Sequence, residues 1–268
     1  MTVAIIGAGV MGETLLSGLV RAGRRVDRLL VGEKRAERAR ELEERYGVEV
    51  VSNVDAAGKA DTLALVVKPQ DMGDVLDELA PVVRPGQLVV SLAAGITTAF
   101  IEARLPAGVA VVRVMPNTPA LVDEGMAAIS RGSHCDESHL AEAESLMRST
   151  GKVIRVPEKQ QDAVTAISGS GPAYLFFVVE AMIEAGVHLG LPRSTATELV
   201  VQTMVGSAKL LRETGEHPVV LRERVTSPGG TTAAAVRKLE DHGVRAAFMT
   251  ALESARDRSR ELARGEGE

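Results

Sequence analysis

The 268-residue chain has no tryptophan, two tyrosines and four phenylalanines. So little aromatic surface excludes a base-stacking platform for single-stranded nucleic acid and leaves the core to aliphatic side chains. Its one cysteine, Cys135, excludes an intrachain disulfide and a thiolate metal cage. Positive charge is scarce: 31 basic residues face 36 acidic ones, a net charge of −5. That field opposes nucleic acid unless a local basic patch overrides it. No window reaches the roughly 20 apolar residues a membrane span needs. Met1–Gly7 has no basic stretch ahead of its apolar residues, so it reads as a strand rather than a leader. The expectation is a soluble, cytoplasmic protein with neither a nucleic-acid nor a membrane partner. Apolar residues at 45% and charged residues at 25% are ordinary for a globular chain. The length fits one large domain or two smaller ones.

What is present is a repeat of apolar β-branched runs and helical patterns. Strands are predicted at Val3–Ile6, Leu29–Val31, Val48–Val51, Leu63–Val67, Leu88–Ser91 and Val109–Val114. Their near-continuous apolar character suits parallel strands covered on both faces. Met72, Val75, Leu76 and Leu79 recur at the spacing of one helix face. Ala39, Leu42 and Tyr46 do the same ahead of Gly47, a helix-stop residue. The fold class is therefore α/β, a doubly wound parallel Rossmann sheet. Met126–Ile129 and Val153–Val156, flanking a helix over Asp136–Thr150, extend it. Beyond Pro157 the pattern becomes helical: Ala173–Leu189, Arg193–Arg212, Thr231–His242 and Val244–Ala263. The predicted division is 1–157, a dinucleotide-binding domain, and 158–268, an all-α domain, with Arg264–Glu268 as a frayed tail. The helix from Ala173 is apolar on every side, too much so for one solvated face. It is expected to pack across a subunit interface.

Gly7-Ala8-Gly9-Val10-Met11-Gly12 lies between the first strand and a helical run. In that context the motif is a dinucleotide fingerprint. Gly7 permits the tight turn, Gly9 lets backbone approach the pyrophosphate, and Gly12 permits close helix–strand contact. The helix dipole then receives the phosphate charge. Glu33, ending the second strand, suits a ribose diol and hence NAD. Lys34 and Arg35 suit a 2′-phosphate and hence NADP; the sequence leaves both open. Lys68-Pro69 and Ser91–Gly95 follow strands whose carboxyl ends face the ligand crevice.

Two later motifs read as helix starts with free amides, which favour carboxylates. They are Ser168-Gly169-Ser170-Gly171-Pro172 and Ser227-Pro228-Gly229-Gly230-Thr231-Thr232. His134, Cys135 and His139 cluster without an evident fourth ligand and read as surface residues, so no metal is expected. His217, ahead of Pro218, reads as a cap. With no catalytic triad or carboxylate pair in view, the chemistry fits hydride transfer in which a cofactor carries the hard step.

Across essentially its whole length the chain resembles the Δ1-pyrroline-5-carboxylate reductase family. The resemblance rests on the glycine fingerprint, Val67-Lys68-Pro69-Gln70, Arg113-Val114-Met115-Pro116-Asn117-Thr118-Pro119, Ser168–Tyr174 and Thr226–Thr232. It implies reduction of Δ1-pyrroline-5-carboxylate to L-proline with NADPH, NADH being possible. It implies a helical domain that interlocks in a homodimer and assembles further into a decamer. Asn53, Val67, Lys68, Pro69 and Ala94 are implied to line the cofactor site, with Met115, Pro116 and Asn117 near the nicotinamide. Asn117, Ser170, Gly230 and Thr231 are implied at the substrate, with Thr232 nearest the imine nitrogen. Glu33 departs from the small or basic residue a strict NADP enzyme places there.

Overall fold

Neighbouring residues of the first strand serve two different cores. Val3 and Ile5 join one apolar cluster, Ala4 and Ile6 the other, as the period-2 alternation of a strand requires. The computed structural model describes residues 1–263. Its eight strands are β1 Val3–Ile6, β2 Leu29–Gly32, β3 Glu49–Val51, β4 Thr62–Leu65, β5 Leu88–Ser91, β6 Ala110–Met115, β7 Gly125–Arg131 and β8 Gly151–Arg155. They form one sheet in the order β3-β2-β1-β4-β5-β6-β7-β8. All pairings are parallel except β6 with β7. Strand order runs outward one way from β1 through β2 to β3 and the other way from β4 onward, so the boundary between β1 and β4 is the switch point at which such sheets take ligands.

Six helices clothe the sheet: α1 Val10–Arg21, α2 Ala36–Tyr46, α3 Asn53–Lys59, α4 Met72–Leu79, α5 Thr98–Glu102 and α6 Glu137–Arg148. Leu15, Leu16 and Leu19 of α1, Leu42 of α2 and Leu140 of α6 cover one face. Ala56 of α3, all four predicted residues of α4 and Ile101 of α5 cover the other. Gly47 stops α2 at φ 68°, and His139 completes a capping box with Asp136 at the start of α6. Cys135, expected at the surface, is buried at 5% exposure and donates its thiol to the Val111 carbonyl. The turn Gly132–Cys135 folds back over β6, which the polar neighbours of Cys135 did not foretell. Burial pushes its thiol pKa up.

The remaining helices are α7 Gln161–Val164, α8 Gly171–His188, α9 Arg193–Thr214, α10 Pro218–Arg224, α11 Thr231–Asp241 and α12 Val244–Ala263. A π-helical turn, Thr165–Gly169, joins α7 to α8. The compact units divide after Ser170, with Met1–Ser170 and the chain from Ala255 in one and Gly171–Ser254 in the other; the sequence division was set at 157/158. The predicted tail Arg264–Glu268 lies outside the described residues.

Within the second unit α8 packs on α9, where Gly186 lies so near Ala196 that an added Cβ would sit 3.0 Å from its methyl. Phe176 and Phe177 remain 67% and 71% exposed. By length and composition the helical run Glu158–His188 is apolar enough to cross a membrane, which corrects the expectation that no such stretch exists. That expectation looked for one uninterrupted apolar tract. Here Ile167, Leu175, Phe176, Phe177, Val178, Val179, Met182 and Ile183 outweigh the glycines, serines and Glu180 that interrupt the run.

Candidate cofactor and substrate site

The glycine turn is built by close approach. The Gly7 amide donates to the Gly32 carbonyl at 3.1 Å, with φ at +96°, and a Cβ there would lie 2.6 Å from the Val66 carbonyl oxygen. A Cβ on Gly12 would lie 2.1 Å from the Gly7 carbonyl oxygen. Neither position admits a side chain. Gly9 is different: nothing lies within 4 Å of its would-be Cβ. It caps α1 without any side-chain hydrogen bond to the helix amides. Open space over uncapped amides at a helix N-terminus suits a phosphate. Ala8 is buried, Met11 half-buried and Val10 70% exposed.

Beside this turn lies a cleft of about 440 Å³ lined by Gly7, Glu33, Lys34, Asn53, Val67 and Glu78, among others. Asn53 is buried because its amide lies over Gly32, where a Cβ would meet Asn53 Oδ1 at 2.5 Å. Glu33, with its side chain 8% exposed, accepts from the Arg35 backbone amide at 2.9 Å and from its guanidinium at 3.0 and 3.1 Å. Burial raises the Glu33 pKa, but the Arg35 hydrogen bonds outweigh it and hold the carboxyl below its usual range. Lys34 pairs with Glu78 at 2.9 Å.

A larger cleft of about 720 Å³ opens at the ends of β4 and β5. Pro69, Ala94, Gly95, Thr165, Ser170 and Arg258 are among its lining residues. Lys68 is exposed and caps the short 3₁₀ turn Pro69–Asp71 between the two clefts. Sequence reasoning missed the share of α12 in this wall, Ala255–Ala263, because Arg258 carries no motif of its own. Met115 ends β6, and its methyl approaches Gly169, where a Cβ would meet it at 2.4 Å. Asn117 donates to the Ser168 carbonyl at 3.1 Å and accepts from the Met126 amide at 2.8 Å. Among the described residues no group of three or more His, Cys, Asp or Glu side chains could hold a metal.

The first of the two predicted helix starts is corrected. Helical structure runs into Ser168–Pro172 from Gln161, and the Ser170 amide donates to the Thr165 carbonyl at 2.8 Å. That amide is spent on the π turn, so the segment is no free N-terminus. The second is a true start. Pro228 and Gly229, the latter at φ +68°, make a tight turn closed by the Gly230 amide on the Ser227 carbonyl at 3.0 Å, the pattern of a type II turn. Gly230 then caps α11 with no side-chain hydrogen bond to its amides. Thr231 is exposed and Thr232 half-buried. His217 caps α10 as expected, Nδ1 accepting from the Val219 amide at 3.3 Å.

Residues 158–262 match the family model described as pyrroline-5-carboxylate reductase dimerisation. Residues 2–95 match one described as NADP oxidoreductase, coenzyme F420-dependent. The chain is 46% identical over 265 residues to the pyrroline-5-carboxylate reductase of Corynebacterium melassecola, covering 97% of this chain and 98% of that one. It is 45% identical to that of Mycobacterium tuberculosis, covering 97% and 96%. Among solved structures, the Coxiella burnetii pyrroline-5-carboxylate reductase superposes with a TM-score of 0.93 at 39% identity, covering 97% and 98%. The Plasmodium falciparum pyrroline carboxylate reductase with NADP bound gives 0.88 at 29%, covering 98% of each. The chain belongs to the pyrroline-5-carboxylate reductase family, NAD(P)H-dependent oxidoreductases of the last step of proline biosynthesis.

Proposed function

We propose that this chain reduces the C=N bond of Δ1-pyrroline-5-carboxylate to give L-proline, using NADPH, with NADH as an alternative donor. The observation that carries the reading is the glycine turn beside the smaller cleft, with the Pro69–Asp71 turn leading from it to the larger cleft at the carboxyl ends of the strands. Gly7, Gly9 and Gly12 clear the backbone for the pyrophosphate, and Ala8, Val10 and Met11 complete the turn. Glu33, Lys34 and Asn53 meet the adenosine end. Val67, Lys68 and Pro69 carry the dinucleotide toward Ala94 and Met115. Arg35 offsets the Glu33 charge, which makes room for a 2′-phosphate beside an acid that would otherwise repel it.

The cofactor, when bound, supplies the hydride. The protein's share is placement. Gly230 and Thr231 present amides to the substrate carboxylate, and the Thr232 hydroxyl orients the imine nitrogen, whose proton comes from solvent. Asn117 and Ser170 belong to the substrate end. Placement alone accounts for large accelerations when the acceptor is already electrophilic. The domain division at 157/158 assigns cofactor binding to the first part and substrate reception and dimerisation to the second. The exposed apolar face of α8 supports a homodimer, with a decamer as the larger assembly and the cytoplasm as its place.

The test is steady-state oxidation of NADPH, and of NADH in parallel, with and without Δ1-pyrroline-5-carboxylate, with proline identified as product. Oxidation that does not depend on the imine overturns the reading.

A further inference from the structure

Pro172 leaves a specific gap in the chain. In a regular helix the Ser168 carbonyl would accept from the amide four residues on, but that residue is a proline, which has no N–H and whose ring crowds that same carbonyl. The helix responds by widening. Thr165–Gly169 forms a π turn, and the Ser170 amide bonds five residues back to Thr165 at 2.8 Å. Such single π turns concentrate at functional sites. The carbonyl that Pro172 cannot serve is served instead from another element: Asn117 Nδ2 donates to Ser168 O at 3.1 Å. Asn117 is itself fixed, because its Oδ1 accepts the Met126 amide at the start of β7 at 2.8 Å. Both ends of its side chain are thus engaged within the protein. Gly169 lets the turn seat against Met115, since any Cβ there would overlap the Met115 methyl. Two residues of this turn region, Thr165 and Ser170, line the larger cleft. The Thr165 hydroxyl is committed to the Gln161 carbonyl at 2.9 Å.

We infer that Asn117 is a positioning residue rather than a substrate ligand. It holds the Pro172-widened turn by its Ser168 carbonyl and so fixes Ser170 in the wall of the reaction cleft. The inference rests on the proposed reaction and refines the substrate end of that site. Its cost of failure is geometric, because a displacement of about 1 Å at a reacting group costs on the order of a hundredfold in rate.

Asn117→Asp keeps the acceptor for the Met126 amide but turns an anionic oxygen toward the Ser168 carbonyl. With NADPH and Δ1-pyrroline-5-carboxylate, kcat is expected to fall about 10- to 100-fold. The NADPH Kd, read by fluorescence of the reduced nicotinamide, should stay within about twofold. Ser170→Ala should lower kcat by itself, and the double variant should be no slower than the slower single one, since coupled residues are not additive. Pro172→Ala returns an N–H to the turn and lets it relax. It should lower kcat with cofactor affinity intact, and it decides the question if Asn117→Asp does not fold. Full kcat in Asn117→Asp or Pro172→Ala, no effect of Ser170→Ala, or multiplicative effects in the double variant overturns the inference while leaving the proposed reaction standing. A parent chain that does not reduce the imine overturns the reaction itself.

Discussion

Arg38 on α2 donates from Nε to the Ala8 carbonyl at 3.2 Å, and its terminal nitrogen pairs with Glu13. One guanidinium therefore ties the glycine turn to the first turn of α1. Arg45 and Tyr46 donate to the same Glu13 carboxylate at 2.8 and 2.9 Å.

The Glu13 cluster predicts a pH dependence. Burial raises the Glu13 pKa, but the hydrogen bonds from Arg38 and Tyr46 outweigh it, and the carboxyl lies below its ordinary 4.5. A carboxyl depressed in the folded state contributes stability above its unfolded pKa and loses it as pH falls through the folded value. Glu13→Gln is expected to cost about 1–2 kcal/mol at neutral pH. The gap from the parent should close below about pH 4. Urea unfolding at a series of pH values measures it, and a gap that stays constant into acid removes the charge from the explanation.

Gly9 and Gly12 predict opposite kinds of damage. A Cβ at Gly9 meets nothing, and φ there is −68°, so Gly9→Ala should keep its Tm within about 1–2 °C. Its NADPH affinity should nevertheless fall at least about tenfold, because the methyl occupies the pyrophosphate's path. Gly12→Ala drives a Cβ into the Gly7 carbonyl and should lower both Tm and affinity. Thermal melts paired with cofactor titrations separate the two, and unchanged affinity in Gly9→Ala would move the phosphate elsewhere.

Thr232→Ala should lower kcat with the imine by about 10- to 100-fold while NADPH binds as in the parent, as loss of an orienting group does. Single-turnover reduction under saturating cofactor measures it. A normal rate takes the nitrogen-orienting role away from Thr232.

Phe177, 71% exposed on α8, predicts an assembly defect. Phe177→Glu should shift the protein toward monomer in light scattering at micromolar concentration, since a buried unpaired charge at an interface is costly. An unchanged mass would place the subunit contact on another face.

The sheet and its glycine turn were legible because period and punctuation agree. β1 and β5 run over their predicted residues, α12 spans Val244–Ala263, and the four apolar residues of α4 are all buried. Short α3 and α5 escaped because five to seven residues cannot establish a helical period. Their N-caps, Ser52 and Thr97, each accept an amide three residues on and were the available signal. The reversal of β7 against β6 was also invisible, since β7 is covered on both faces and so shows the continuous apolar run of a parallel strand instead of the alternation that marks a half-solvated antiparallel one. In the site, Gly7–Gly12 could be read because the turn needs glycine for local reasons. The π turn could not. Pro172 at a helix start looks ordinary, and only the three-dimensional approach of Asn117 shows what the missing N–H entails.

The Glu158 carboxylate accepts both the backbone amide and the hydroxyl of Thr98 at 2.7 Å and pairs with Arg113 at 3.5 Å. Gln161, fully buried, donates to the Ala128 carbonyl and the Ser130 hydroxyl. These first residues of the helical region are rivets in the sheet. Arg113 already has one buried nitrogen without a partner; severing the polypeptide at 157/158 would strip its ion pair as well and strand a cation inside apolar surroundings. A fragment ending at Pro157 is thus poorly equipped to stand alone, whereas one reaching Ser170 takes its own fastenings with it.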